Sequence, residues 1–125
     1  MNVVDTSGWL EYFANHKNAS YFAEPIEQSN ELVVPTSTIV EVFKKFLREK
    51  DEPLALKVVA HMKRGHVVNP DSDLSMDAAK LGHELKLPLA DSIILATTRS
   101  YNAILWTQDE DFKGLPGVRY ISKRS

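Results

Sequence analysis

Short β-type runs that alternate with longer helix-type segments are the feature that most limits what this chain can fold into. The β-type runs are rich in Val and Ile and are bounded by Pro, Asn, Gly or Asp, which is typical of strands. These runs are residues 2–4, 32–34, 66–68, 103–107 and 118–121. The helix-type segments are residues 7–14, 19–28, 37–49, 53–64, 75–86 and 91–101. The alternation predicts an α/β domain with a mostly parallel sheet of about four or five strands.

Two of the helix-type segments carry strong signals. Segment 37–49 has an apolar stripe at helical spacing, and three residues that could cap its start. The stripe consists of Ile39, Val42, Phe43, Phe46 and Leu47, and the candidate caps are Thr36, Ser37 and Thr38. Segment 91–101 contains the run Ser92-Ile93-Ile94-Leu95-Ala96, which is apolar on most sides. This run predicts a helix that is buried against other elements.

Size and composition narrow the class of protein. The 125 residues are typical of one compact domain, and we expect residues 1–125 to form it. The chain has no cysteine, which excludes disulfides, thiolate zinc sites and cysteine nucleophiles. No signal peptide is recognisable, and no run approaches the ~18 apolar residues of a membrane span. We therefore expect a cytoplasmic protein without a membrane partner, although its net charge of −2 lacks the basic footprint of nucleic-acid binders.

Four acids stand at positions where α/β domains place their active sites. Asp5 ends the first β-type run, and Asp109 lies two residues beyond the fourth. Asp91 opens the most apolar helix, and Glu41 lies in the first turns of the helix that follows the second strand. Active sites in open parallel sheets gather outside the carboxyl ends of the strands. If the sheet is parallel, all four acids can meet at one edge.

Each acid also has a purely structural interpretation. Asp5 is a good N-cap for the helix that follows it, and Asp91 is either an N-cap or a first-turn acid facing the helix dipole. Asp109 is a solvated loop residue in this interpretation. Glu41 falls almost opposite the apolar stripe of its helix, so periodicity alone predicts a solvated side chain. The spacing of the four acids does not decide between the two interpretations.

Taken together, the acids indicate a cation site. Clustered carboxylates repel one another, so they either raise their pKa values or bind a cation. The ligands on offer are all oxygen atoms, which favours Mg²⁺ or Mn²⁺ over zinc, and hydrolysis of phosphodiesters is the typical chemistry of such a site. A Gly-rich phosphate loop is absent from the sequence, and its four histidines lack metal-ligand spacing.

Four segments, in order over essentially the whole chain, resemble the motifs of PIN-domain nucleases. Val3-Val4-Asp5-Thr6-Ser7 resembles their first strand with its catalytic Asp, and residues 35–42 resemble the helix that delivers a Glu. Residues 87–97 are similar to their most distinctive motif, an Asp that opens a buried Ala-rich helix. Residues 105–112 resemble their closing strand with its threonine and Asp-x-Asp-Phe segment.

This resemblance implies a fold and a set of roles. The fold would be a three-layer α/β/α PIN-like domain, and Asp5, Glu41, Asp91 and Asp109 would be the catalytic, metal-binding acids. Two threonines would orient these acids through hydrogen bonds, and a neighbouring acid offers an alternative carboxylate to Asp109. These three residues are Thr6, Thr107 and Asp111. For the threonines, bonding to their own backbone at a strand end is the alternative.

The small size points to VapC-like toxins within that family. Membership implies cleavage of RNA by water activated with Mg²⁺ or Mn²⁺, a homodimer, and inhibition by a VapB-like antitoxin. Basic residues on the helix of Glu41 would contact RNA phosphates, or else form an ordinary solvated face; they are Lys44, Lys45 and Arg48. Aromatic residues on the early helices belong either to the core or to a dimer interface; they are Trp9, Tyr12, Phe13 and Phe22.

Two other functions remain open at this point. One is a catalytically inactive PIN-like module that binds RNA or protein. The other is a Mg-dependent phosphatase or phosphotransfer domain on a similar sheet. A phosphatase that forms an aspartyl phosphate would carry Asp-x-Asp after its first strand, and a receiver-like domain would carry paired acids there. The sequence Asp5-Thr6-Ser7 fits neither pattern.

Overall fold

Strands and helices alternate along the chain, as the sequence predicts. A computed structural model describes residues 1–124. Within them the strands are β1 (Asn2–Val4), β2 (Leu32–Pro35), β3 (His66–Val68), β4 (Ile104–Thr107) and β5 (Val118–Tyr120). The helices are α1 (Thr6–Ala14), α2 (Ala19–Ile26), α3 (Thr36–Glu49), α4 (Glu52–Met62), α5 (Ser72–Leu85) and α6 (Leu89–Ser100). Short 3₁₀ helices span Ser29–Glu31 and Glu110–Phe112.

The five strands form one parallel sheet in the order β3-β2-β1-β4-β5. Strand β1 lies at the centre, with Asn2 opposite Leu32 of β2 on one side and Ile104 of β4 on the other. The sheet grows outward in both directions from β1, so the chain order reverses between β1 and β4. Ligand sites in open α/β sheets lie at such a reversal. The predicted three-layer α/β/α fold is confirmed.

The sheet separates two apolar cores because side chains alternate between its faces. Val4 and Trp106 lie against the helices α1 to α4, together with Trp9, Phe22 and Met62, each of which is fully buried. Trp9 and Phe22 therefore belong to the core and not to an interface between subunits. Burial of an apolar side chain of this size contributes on the order of 2 kcal/mol.

The opposite face of the sheet packs against α6. Val3, Val33 and Leu105 contact Ile94 and Leu95 there. Helix α5 covers α6 in turn, and the two approach so closely that a Cβ atom at Gly82 would collide with the hydroxyl of Ser92. As predicted, α6 is buried on most sides. Within residues 1–124 no helix is long and apolar enough to cross a membrane, and the cytoplasmic location stays a prediction.

Three helices begin at an Asp side chain that caps the first turn. Asp5 accepts a hydrogen bond from the Gly8 N–H at 2.9 Å. Asp51 and Asp71 do the same for α4 and α5, with donor–acceptor distances of 2.8 Å. The cap at Asp71 explains why α5 begins at Ser72 and not at residue 75, where the sequence analysis places its start. Such caps contribute about 1 kcal/mol each.

Helices α3 and α6 begin differently. Each follows a proline, Pro35 or Pro88, and neither has a side-chain cap. The prediction that Thr36, Ser37 or Thr38 caps α3 is wrong, because the Thr38 hydroxyl donates to the Pro35 carbonyl at 2.6 Å instead. The first turns of these two helices are thus free of capping side chains.

Candidate active site

The predicted acids meet at the carboxyl edge of the sheet. Asp5 directly follows β1, and Asp109 follows the neighbouring strand β4 after one intervening residue. They lie on the two sides of the point where the strand order reverses. Asp91 reaches this point from the first turn of α6, and Glu41 reaches it from α3.

Asp5 is the most enclosed of the acids, with 2% of its surface exposed. The Ser7 hydroxyl lies 2.8 Å and 2.9 Å from its two oxygens, and the Thr107 hydroxyl donates to Oδ2 at 2.6 Å. Burial raises the pKa of Asp5 to about 6, although hydrogen bonds from Thr107, Gly8 and Ser7 act in the opposite direction. Asp5 therefore caps α1 and belongs to the acid cluster at the same time.

Asp91, Asp109 and Asp111 form the open part of the site. One carboxylate oxygen from each of them lies within 4.8 Å of the others. Burial raises the pKa of Asp91 to about 7, and the charges of Asp109, Asp5, Glu41 and Asp111 raise it further in that order of effect. Four carboxylates thus act on the charge state of Asp91.

The structure decides between the alternatives for two of these acids. Asp91 is in the first turn of α6 but does not cap it, because the N-cap position is occupied by Pro88. Asp111 was expected only as an alternative to Asp109, and the structure brings both into the cluster. The reason is the short 3₁₀ helix, which the Asp109 side chain opens by accepting the Asp111 N–H at 2.9 Å.

Thr107 links the acids of the two central strands. Its buried hydroxyl donates to Asp5 and accepts the backbone N–H of Asp109 at 2.9 Å. This geometry matches the orienting role that the sequence suggested for Thr107. The Thr107 hydroxyl thus connects the Asp5 side chain with the backbone of Asp109.

The surroundings of Glu41 contradict the helical-wheel interpretation of this residue. The wheel predicts a solvated side chain, but Glu41 is half-buried and accepts a hydrogen bond from the Thr6 hydroxyl. The difference arises because α3 is covered on more than its apolar side. Val42 faces the core, while Glu41 meets the first residue of α1. Thr6 thus contacts an acid, as its suggested role requires.

The three basic residues of α3 follow Glu41 along the helix. Lys44, Lys45 and Arg48 stand three, four and seven positions after it, a spacing that places residues on one helix face. Lys44 is exposed, whereas Lys45 contacts Glu49 at 2.7 Å and Arg48 contacts it at 3.5 Å. They continue the helix face of Glu41 toward the C-terminal end of α3.

The sequence interpretation missed several residues near the site. Ser7 bonds to Asp5, and its place in Asp-Thr-Ser-Gly is a turn pattern from which this contact could have been inferred. Glu11, Asn18 and Gln108 form buried hydrogen bonds behind Asp109. No local pattern reveals them, since Asn18 and Gln108 are 90 positions apart.

The donor set fits a hard divalent cation. It consists of carboxylate oxygens from Asp91, Asp109 and Asp111, with Asp5 and Glu41 beside them. Oxygen ligands suit Mg²⁺ and Mn²⁺ and disfavour softer metals. Burial is the main cause of the raised pKa values of Asp5 and Asp91, and neighbouring carboxylates add to it, so a cation at this place would stabilise the ionised forms of both acids.

Comparisons with known proteins agree with this geometry. The chain has no significant match among curated proteins. A solved toxin–antitoxin complex from Klebsiella pneumoniae contains a similar chain, with 25% identity, a TM-score of 0.81, and coverage of 95% of this chain and 96% of that one. DNA-bound VapBC from Salmonella typhimurium matches with 16% identity, a TM-score of 0.74 and coverage of 97% and 96%.

A third solved structure extends the comparison. Mycobacterium tuberculosis VapC20, described as a Sarcin-Ricin loop cleaving toxin, has 17% identity to this chain, a TM-score of 0.72, and coverage of 95% of this chain and 99% of that one. The fold is therefore shared with VapC toxins. The family model of the PIN domain matches residues 3–118, a range that includes all five clustered acids. This protein belongs to the PIN domain family.

Proposed function

We propose that this protein is a metal-dependent endoribonuclease and the toxin of a toxin–antitoxin pair. The observation that carries the proposal is the meeting of five carboxylates at the strand-order reversal of a PIN domain. The similarity to VapC toxins, one of them described as cleaving the Sarcin-Ricin loop, supports RNA as the substrate. We further propose that residues 1–125 act as one domain.

Asp5, Glu41, Asp91, Asp109 and Asp111 would hold Mg²⁺ or Mn²⁺. When bound, such an ion supplies Lewis acidity and lowers the pKa of water for hydrolysis of a phosphodiester. The chain itself provides the orientation. Two threonines and a serine fix the acids through hydrogen bonds, and these are Thr6, Ser7 and Thr107. Binding of the ion would compete with protons on Asp5 and Asp91 at acidic pH, since burial raises their pKa values to about 6 and about 7.

A cleavage assay with a synthetic RNA tests this function. We expect cleavage in Mg²⁺ or Mn²⁺, loss of cleavage in EDTA, and recovery when the metal is added back. Either metal should also raise the melting temperature, because it binds only the folded site. A DNA strand of the same sequence is the control. Full activity in EDTA after exhaustive dialysis would refute the metal mechanism, and metal binding without cleavage of any RNA would favour the inactive binding module.

The basic face of α3 supports contact with RNA. Lys44, Lys45 and Arg48 extend from Glu41 along one helix face, so a strand cleaved at the acids would pass them. Lys45 also lines a cavity of about 820 Å³ beside Ser7, together with Lys50 and Lys123. Attraction between such residues and phosphates is independent of sequence and weakens with salt. We propose them as phosphate contacts.

A VapB-like antitoxin is the proposed protein partner. Three of the similar chains come from solved VapBC assemblies, from Rickettsia felis, Salmonella typhimurium and nontypeable Haemophilus influenzae. Their fold covers nearly this whole chain. We propose that this chain is held inactive by a partner of the same kind.

We also propose a homodimer, formed through the exposed apolar residues beside Glu41. Val40 and Leu89 are 64% and 79% exposed, and they line a depression of about 280 Å³ with Pro70 and Ile93. Exposed apolar surface of this kind marks an interaction site. Light scattering at micromolar concentration should give about twice 14.1 kDa, and Leu89→Ser should give a monomer. A monomeric wild-type protein over that range would contradict the proposal.

A further inference from the structure

A cluster of three buried polar side chains lies behind the acids and has no part in the function proposed so far. Glu11 is on α1, Asn18 precedes α2, and Gln108 stands between Thr107 and Asp109. Their exposed fractions are 6%, 1% and 5%. We call them the Gln108 cluster. Burial of polar groups is costly unless they are hydrogen-bonded, so this arrangement requires well-formed contacts.

Four hydrogen bonds hold the Gln108 cluster together, although the buried Asn18 Oδ1 has no partner among the described residues. The Asn18 backbone N–H donates to Glu11 Oε2 at 2.9 Å, and Gln108 Nε2 donates to Glu11 Oε1 at 3.1 Å. Asn18 Nδ2 donates to Gln108 Oε1 at 2.9 Å and also to the Ser122 carbonyl at 3.1 Å. Both ends of the Gln108 amide are thus occupied. Its side chain is fixed between α1 and the start of α2.

Gln108 lies in the segment that bears two of the clustered acids, so its fixed side chain also restrains their backbone. Thr107, on one side of it, bonds to Asp5, and Asp109, on the other side, begins the 3₁₀ helix that carries Asp111. The segment that bears two clustered acids is therefore anchored by the Thr107 hydroxyl and by the Gln108 amide. Like charges on Asp91, Asp109 and Asp111 repel one another when no cation is bound, so the contacts of this segment act against that repulsion.

We infer that the Gln108 cluster positions Asp109 and Asp111 for a divalent cation, by holding their backbone against the repulsion of the other acids. This inference rests on the proposed function of the acid site. Gln108, Glu11 and Asn18 are positioning residues that act through the backbone, because none of them is among the acids that meet at the site. Groups that orient metal ligands typically alter metal affinity by about 10–100-fold when they are lost.

An exchange of two side chains tests the inference. Gln108→Glu alone places two carboxylates against each other, and Glu11→Gln alone leaves one of the two donors to residue 11 without an acceptor. In the double variant Glu11→Gln/Gln108→Glu the amide and the carboxylate exchange positions, so the hydrogen bond between residues 11 and 108 forms with donor and acceptor exchanged. The new amide donates to the new carboxylate, the Asn18 N–H keeps an acceptor on residue 11, and Asn18 Nδ2 keeps an acceptor on residue 108. The net charge of the double variant equals that of the wild type.

Two measurements are compared for the wild type, both single variants and the double variant. Calorimetric titration with Mn²⁺ gives the affinity of the acid site, and amide hydrogen exchange in EDTA reports the mobility of residues 109–111. We expect the single variants to bind Mn²⁺ roughly tenfold more weakly and to exchange faster at Asp109 and Asp111. The double variant should recover both wild-type values. Melting in EDTA identifies the variants that are folded.

The outcomes separate this inference from the proposed function. Folded single variants with wild-type Mn²⁺ affinity and wild-type exchange would overturn the positioning role. A double variant that unfolds, or that folds without recovering either value, would also overturn it. If Gln108→Glu does not fold, Glu11→Gln provides the single-variant comparison. A wild-type protein that binds no Mn²⁺ would refute the proposed function, and the exchange rates would still decide whether the Gln108 cluster holds the segment.

Discussion

Asp71 and Asp91 stand near the starts of two adjacent helices, α5 and α6, and have opposite surroundings. Asp71 is exposed and caps α5 by accepting the Leu74 N–H. Asp91 is half-buried and leaves α6 uncapped, and burial together with four other carboxylates raises its pKa. The same residue type near a helix start thus serves two purposes. The groups that neighbouring elements place around the side chain decide whether it caps its helix or joins the acid cluster.

The largest expected difference between the two residues is in RNA cleavage. Asp91→Asn removes a charge from the proposed cation site, so cleavage in Mg²⁺ should fall by more than about 100-fold, the upper end of what loss of an orienting contact costs. Stability in EDTA should hold or rise, because repulsion within the acid cluster is relieved. Asp71→Asn is the matched control and should change neither quantity, since Asn caps as well as Asp. Wild-type cleavage by Asp91→Asn would remove Asp91 from the site.

The next effect is on how stability depends on pH. Asp5 and Asp91 have folded-state pKa values raised from 3.8 to about 6 and about 7. The folded protein therefore binds protons that the unfolded chain has already released, and stability from these groups is lost as the pH rises through this range. With allowance for the partial exposure of Asp91, the loss between about pH 5 and pH 8 is on the order of 2 kcal/mol.

Thermal melts in EDTA measure this loss. The melting temperature should fall by roughly 5–10 °C between about pH 5 and pH 8. Asp91→Asn should flatten the profile and Asp71→Asn should leave it unchanged, while Mg²⁺ should reduce the decrease by binding the ionised acids. A melting temperature that rises over this range in EDTA would show that the carboxyl groups are not protonated in the folded state.

The smallest effect concerns the cap itself. Asp71→Ala removes the acceptor of the Leu74 N–H and should cost about 1 kcal/mol, or about 4 °C in melting temperature. RNA cleavage at a temperature where the variant is folded should equal that of the wild type. Reduced cleavage by the folded variant would show that the start of α5 is coupled to the acids. Asp71 and Asp91 would then differ only in how strongly each affects cleavage.

Much of the fold could be predicted from the sequence because its signals are local. Runs rich in Val and Ile correctly predict the strands, and the apolar run that begins at Ser92 correctly predicts a buried helix. The strand order could not be read in the same way, because the neighbours of a parallel strand depend on how the connecting helices pack. The start of α5 was predicted at residue 75 instead of Ser72, because the apolar pattern does not show that Asp71 caps the helix.

The acids were predicted as a group, but their individual surroundings were not. The helical wheel of α3 contains no information about α1, so it could not show that Thr6 would reach Glu41. Capping and clustering were treated as alternatives for Asp5, and its two oxygens serve both. The role of Gln108 depends on a contact with Asn18 across most of the chain, which no local pattern contains.

The pairing of β1 with β4 has a consequence for how the protein is made. Asn2 and Ile104 lie opposite each other in the sheet, and the Ile104 N–H donates to the Met1 carbonyl, although the ribosome adds these residues at widely separated times. Until β4 has emerged, β1 lacks one of its two neighbours, and Asp5 has neither Thr107 nor Asp109 beside it. Long-range pairings of this kind also form late in folding. A nascent chain therefore has no complete acid site before residue 111 has left the ribosome, so the proposed toxin cannot cleave RNA during most of its own translation.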